Sequence, residues 1–116
     1  MNQLMPESLF IASQAHYSRA QVHRLNGEYD EWRQATIDTY ALQLECAEML
    51  KDKLEAEPTR SIVYMSCAGL ALSLGMYHKS LELANEGLNG APEAWVKSRL
   101  HRIMETCVAM LDDEQG

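Results

Sequence analysis

Clustered lysine and arginine, paired cysteines and glycine-rich phosphate loops are all missing from this chain. The formal net charge is −7. Phosphate binding draws on clustered cations, so neither nucleic acid nor an anionic membrane surface is expected as a partner, and a basic or apolar one fits better. Cys46, Cys67 and Cys107 are odd in number, far apart and without a CxxC pair. That argues against a disulfide framework or a zinc site, and for a reducing, cytoplasmic compartment. The opening MNQLMPESLF has no basic region leading into an apolar run, as a signal peptide would. Gly69 and Gly75 are followed by no Lys-Ser/Thr pair, and no nucleophile elbow occurs. His16 and His23 lie two helical turns apart, too far for the i, i+4 ligand pair of zinc helices, while His78 and His101 lack an acidic and a nucleophilic companion. No metal or other cofactor is expected.

Formal charge is also absent from Ser61 to Tyr77. This is about the minimum length of a membrane-spanning helix, and Cys67, Ala71 and Gly75 recur every fourth residue as small residues do at membrane helix interfaces. The neighbouring segments are ordinary amphipathic ones, however, and a helix covered on two sides by protein has the same composition. No membrane span is expected.

What is present points to an all-α fold. The 116 residues make one ordinary domain, and 47% of them are apolar, enough to fold around one core. A first helix is expected over residues 7–25 after Pro6, with Ile11, Ala15, Val22 and Leu25 as one apolar stripe and Leu9, Ala12 and Ala20 as a second. Asn26-Gly27 ends it. A second helix is expected to run from Tyr29 or Asp30 to Ala56, because no Gly or Pro interrupts it before Pro58. Its two apolar faces are Ile37, Tyr40, Ala41, Leu44, Ala47 and Ala35, Leu42, Cys46, Met49, Leu50. Glu45, Glu48 and Asp52 share a side with Lys51 and Lys53 nearby, a solvated face, and the charged KDKLEAE end is expected to project into solvent. A third helix starts at Pro58-Thr59 and ends at Gly75. A fourth spans residues 77–88 with Tyr77, Leu81, Ala84 and Leu88 on one side. A fifth, over residues 92–111, carries Val96, Leu100, Ile103, Cys107 and Leu111 on one stripe, with DDEQG as a frayed tail.

The hairpin formed by the third and fourth helices has a recognisable pattern. Tyr64, Cys67-Ala68 and Ala71 precede Leu74-Gly75-Met76-Tyr77, and Ser80, Ala84, Gly87 and Pro92 follow. Over residues 61–94 this resembles a tetratricopeptide repeat, a helical hairpin with small and aromatic residues at fixed offsets. The first two helices resemble a degenerate copy over residues 13–46, with Ala20, Gly27 and Tyr29 in register but Trp32 where Ser80 stands. The resemblance implies a right-handed stack of two hairpins (7–56 and 58–90) and a closing helix (92–111). It further implies a non-catalytic adaptor, or a chaperone of the small acidic type, whose first helices line a groove for a protein or peptide. Carried over, the groove positions are Ile62, Met65, Gly69 and Leu72 of the better repeat, and Gln14, Tyr17, Gln21 and Arg24 of the degenerate one. Met65 and Met76 would flank that groove, with Met49, Met104 and Met110 as core filling.

About three repeats are usually needed to bury both faces of such hairpins, so two predict a homodimer or an obligate complex. Arg19 and His23 give the enzyme alternative: they resemble, at shorter spacing, the Arg-to-His motif of small all-helical ribonuclease toxins.

Overall fold

The computed structural model describes residues 6–115, with side chains over residues 8–114. The N-terminal segment read above for a signal peptide lies, over residues 1–5, outside the described residues. Among the described residues there are five α-helices and no strand: α1 (Pro6–Leu25), α2 (Tyr29–Leu50), α3 (Thr59–Ser73), α4 (Tyr77–Leu88) and α5 (Ala94–Gln115), with a 3₁₀ turn at Leu54–Ala56. They form two compact units that divide between Met49 and Leu50.

In the first unit α1 and α2 are joined by a left-handed glycine. Gly27 has φ 74°, the Glu28 N–H donates to the His23 carbonyl (2.9 Å), and the Gly27 N–H donates to that of Arg24 (3.2 Å). These two bonds satisfy the last carbonyls of α1 and turn the chain back. Contrary to expectation, the stripe Ile11, Ala15, Val22, Leu25 does not face the core: Ile11, Val22 and Leu25 are 70%, 55% and 80% exposed. The buried side of α1 is Leu9, Ser13 and Ala20, and that of α2 is Ala35, Thr36, Thr39, Gln43, Cys46 and Ala47. Small and hydrogen-bonded polar side chains thus take the place that larger apolar ones were expected to fill. The Gln43 amide donates to Ser13 Oγ (3.2 Å), which donates to the Phe10 carbonyl (2.6 Å), and Thr39 bonds back to the Ala35 carbonyl (2.8 Å). Polar groups paired in this way are tolerated inside.

In the second unit α3 packs on α4, and α5 packs on both. Val96, Leu100, Ile103 and Cys107 of α5 are buried, as their spacing predicts. The buried side of α4 is Ser80, Leu83, Ala84 and Gly87, rotated from the expected Tyr77, Leu81, Ala84, Leu88. The reason is close approach. Ser80 Oγ donates to the Ala68 carbonyl (2.7 Å), and a Cβ on Gly87 would sit 3.2 Å from both Tyr64 Cβ and Leu100 Cδ1.

The α3–α4 turn repeats the first one: Gly75 has φ 79°, Met76 N–H donates to the Ala71 carbonyl (2.9 Å), and Gly75 N–H donates to that of Leu72 (3.0 Å). Gly75→Ala should therefore destabilise the second unit by about 1 kcal/mol through left-handed strain alone, because no atom obstructs the new methyl; urea unfolding checks this.

Two further expectations are corrected. The helix α2 stops at Leu50, not Ala56; of the KDKLEAE segment residues 51–55 are exposed, as expected, while its 3₁₀ turn meets α3 and Glu57 folds in against Arg60 and Ser61. At the other end α5 remains helical through Gln115, so the acidic tail is not frayed up to that residue.

Candidate functional site

The four positions expected to bind a partner on α3 follow one another at i, i+3, i+7 and i+10 and share one side of the helix. Ile62, Met65, Gly69 and Leu72 are all half-buried. The opposite arc, with Val63, Tyr64, Cys67, Ala68, Leu70 and Ala71, is core. A helix whose core side is closed by α4 and α5 thus keeps a partly open apolar side.

A buried polar clasp holds the start of that helix. Arg60 is 1% exposed. Its Nε donates to the Lys51 carbonyl (2.7 Å), its Nη1 to the Glu86 carbonyl (3.2 Å) and its Nη2 to Glu86 Oε2 (2.8 Å). The guanidinium lies 4.9 Å from the centre of the Tyr64 ring, in cation–π range. Glu57, its side chain 8% exposed, completes the cluster 3.6 Å from Arg60 Nη1. The Glu57 carboxylate accepts from the Ser61 N–H (2.9 Å) and the Ala91 N–H (2.8 Å). The Ser61 hydroxyl lies 2.6 and 2.7 Å from the two carboxylate oxygens and 3.1 Å from the Gly87 carbonyl. With one proton, it donates to the shorter, charge-assisted side.

The clasp ties the turn after α2, the N-terminus of α3, the C-terminus of α4 and the lead into α5. It also supplies a negative charge where the α3 dipole is positive. Burial pushes the Glu57 carboxyl up, but hydrogen bonds from Ser61 and Ala91 and the Arg60 charge outweigh it and hold the group below its ordinary 4.5. Ile62 and Met65, the first residues of the open side, are placed by this fixed start. Sequence reasoning missed Arg60 and Glu57. A signal existed in the Arg and Glu flanking Pro58, just where the uncharged segment begins.

In the first unit Tyr17 is 43% exposed, Gln14 and Arg24 are exposed and Gln21 is half-buried, again on one side of a helix. Arg24 also borders a shallow depression with Gly27, Glu28, Tyr29 and Trp32. There the Tyr29 and Trp32 rings pack 5.5 Å apart at 39°; this aromatic pair was not singled out in the sequence. Arg19 and His23, the enzyme alternative, are engaged by different groups. Arg19 Nη2 donates to His16 Nδ1 (2.6 Å) and lies 3.6 Å from Asp38, whereas His23 Nδ1 bonds Glu28 Oε1 (2.9 Å). The bond from His23 draws the Glu28 carboxyl below its ordinary range.

Cys46, Cys67 and Cys107 form no disulfide with one another and are buried. Among the described residues no group of His, Cys, Asp and Glu is arranged to hold a metal ion, and no helix is long and apolar enough to cross a membrane. Compared with protein-family models, with curated proteins and with solved structures, the chain gives no match to any of them.

Proposed function

We propose that this protein is a non-catalytic binding module, an adaptor or small chaperone of tetratricopeptide-like build, that holds a protein or peptide partner against the open side of α3. The observation that carries the reading is the division of α3 into a fully packed arc and a continuous half-open apolar one, Ile62, Met65, Gly69 and Leu72. A segment without charge from Ser61 to Tyr77 suits an apolar partner surface. Gly69 lets that surface approach the helix backbone, since no atom of the chain lies within 4 Å of where its Cβ would be. The hairpin pattern supports the same reading. Ser80 and Gly87 provide the close α3–α4 contact that the small positions of the resembling family imply, and Gly75 makes the turn. On the first unit, Tyr17, Gln21 and Arg24 would offer a more polar contact surface.

The test is Ile62→Glu with Met65→Glu. Partners captured by the wild-type chain from its native host are identified, and the purified partner is then titrated against both proteins. Two carboxylates on a desolvated apolar contact should weaken binding by at least tenfold, with helix content unchanged by circular dichroism. Undiminished binding by a folded double variant rules this surface out.

A further inference from the structure

Half of the large apolar side chains exposed among the described residues, five of ten, fall between Ile11 and Tyr29. They are not scattered. Ile11, Ala15, Ser18, Val22 and Leu25 follow one another at i, i+4, i+7, i+11 and i+14, and this stripe lies on the side of α1 opposite buried Leu9, Ser13 and Ala20. Its three large members are more than half exposed.

The order of residues in the stripe is its second property. Ile11 and Leu25 stand seven residues to either side of Ser18, with Ala15 and Val22 between. Along one rim Gln14 and Gln21 stand almost symmetrically about the same point. Such a stripe complements itself when two copies run antiparallel about a two-fold axis at Ser18. Ile11 meets Leu25 of the second copy at both ends, the small Ala15 and Ser18 let the backbones approach at the centre, and the Gln14 and Gln21 amides can bond across.

No charged side chain lies in the stripe, so none is desolvated. The rim does not select an acidic helix, because Arg19 is already engaged by Asp38 and His16. The stripe runs roughly 21 Å along the helix. Pairing over that length buries roughly 1,000 Å² in total, the lower end of what a specific, weak dimer needs.

We infer that this protein self-associates as a symmetric dimer through the outward stripe of α1, two copies pairing antiparallel about Ser18. The stripe shares no residue with the open side of α3. The Ile62→Glu, Met65→Glu variant should therefore still dimerise, so loss of either property leaves the other measurable.

Sedimentation equilibrium and light scattering up to high micromolar concentration should show a monomer–dimer equilibrium. Ile11→Asp with Leu25→Asp should weaken it at least tenfold with helicity retained, both positions being exposed. The symmetric geometry is read by Ser18→Cys. Two-fold pairing brings the two Cα atoms within roughly 5 Å, inside disulfide range, so a mild oxidant such as diamide should yield a covalent dimer. The same change at exposed Ser98 of α5 should not. The native cysteines are buried and do not compete. Several results overturn the inference: a wild-type monomer throughout this range, including one that instead binds anionic vesicles through the stripe; a dimer unaffected by the aspartates; or a dimer that Ser18→Cys fails to cross-link.

Discussion

Arg60→Ala should cost the second unit about 3 kcal/mol or more, one of the two largest single-residue losses expected in this chain. The guanidinium is buried, with its side chain 2% exposed, and it faces Glu57 and Glu86, whose side chains are 8% and 27% exposed. Removing it strands one carboxylate in the interior and another at its edge, and leaves the Lys51 and Glu86 carbonyls without their donor. Breaking a buried pair from one side is expensive because the surviving charge loses its counter-ion where little water can replace it. Most of the loss should therefore be due to the stranded carboxylates and not to the missing arginine contacts. Arg60→Met with Glu57→Gln and Glu86→Gln, which removes all three charges and keeps the volumes similar, should recover a substantial part of it. Denaturant unfolding followed by the fluorescence of Trp95, in a Trp32→Phe background, isolates the second unit. If the triple variant is no more stable than Arg60→Ala, the carboxylates are not what makes the arginine necessary.

The same cluster explains which parts of the architecture were legible in the amino-acid sequence. Gly27 and Gly75 announced both hairpin turns because a left-handed cap is a local demand that almost only glycine meets cheaply. Val96, Leu100, Ile103 and Cys107 announced the buried side of α5 because the buried positions there are all apolar and fall at helical spacing. The stop of α2 at Leu50 was not legible. No Gly or Pro breaks the helix there; the Lys51 carbonyl is taken instead by Arg60, nine residues further on, and no local pattern encodes that capture.

Reading the first unit by apolarity alone likewise pointed the Ile11 stripe of α1 inward. The hairpin in fact closes on Ser13, Thr36, Thr39 and Gln43, whose hydrogen bonds permit burial that a count of apolar residues assigns elsewhere. Of the candidate site, the common side of Ile62, Met65, Gly69 and Leu72 was visible as a spacing. The clasp one turn before it was hidden, because Glu57 and Arg60 look like ordinary solvated charges until the chain folds.

Glu57→Ala should be nearly as damaging as loss of Arg60, by about 3 kcal/mol, and with a distinct pH signature. The carboxylate accepts two backbone N–H groups, at Ser61 and Ala91, besides a hydroxyl, and alanine leaves those donors unmatched and takes from buried Arg60 one of its two carboxylates, Glu86 remaining. Because the folded carboxyl titrates below its ordinary value of 4.5, the folded state prefers the ionised form. Its contribution is complete above the unfolded carboxylate range and is lost as the pH falls through the lower folded value. Wild-type stability should therefore decline on acidification below about pH 4.5, and part of that decline should vanish in Glu57→Gln, which keeps the shape but cannot titrate. Gly90 sharpens the point. A Cβ there would run into Glu57 Oε2 and sit 2.7 Å from Arg60 Nη1 and 3.0 Å from Glu57 Cδ, so Gly90→Ala should displace the carboxylate without removing it. Its unfolding curves should then show a loss of stability at neutral pH together with a flatter acid limb, the joint signature of a carboxylate pushed out of its cradle. If Glu57→Gln and Gly90→Ala both retain the full wild-type acid dependence, the titrating group responsible lies outside the clasp, and the hold of Glu57 on the start of α3 is not electrostatic.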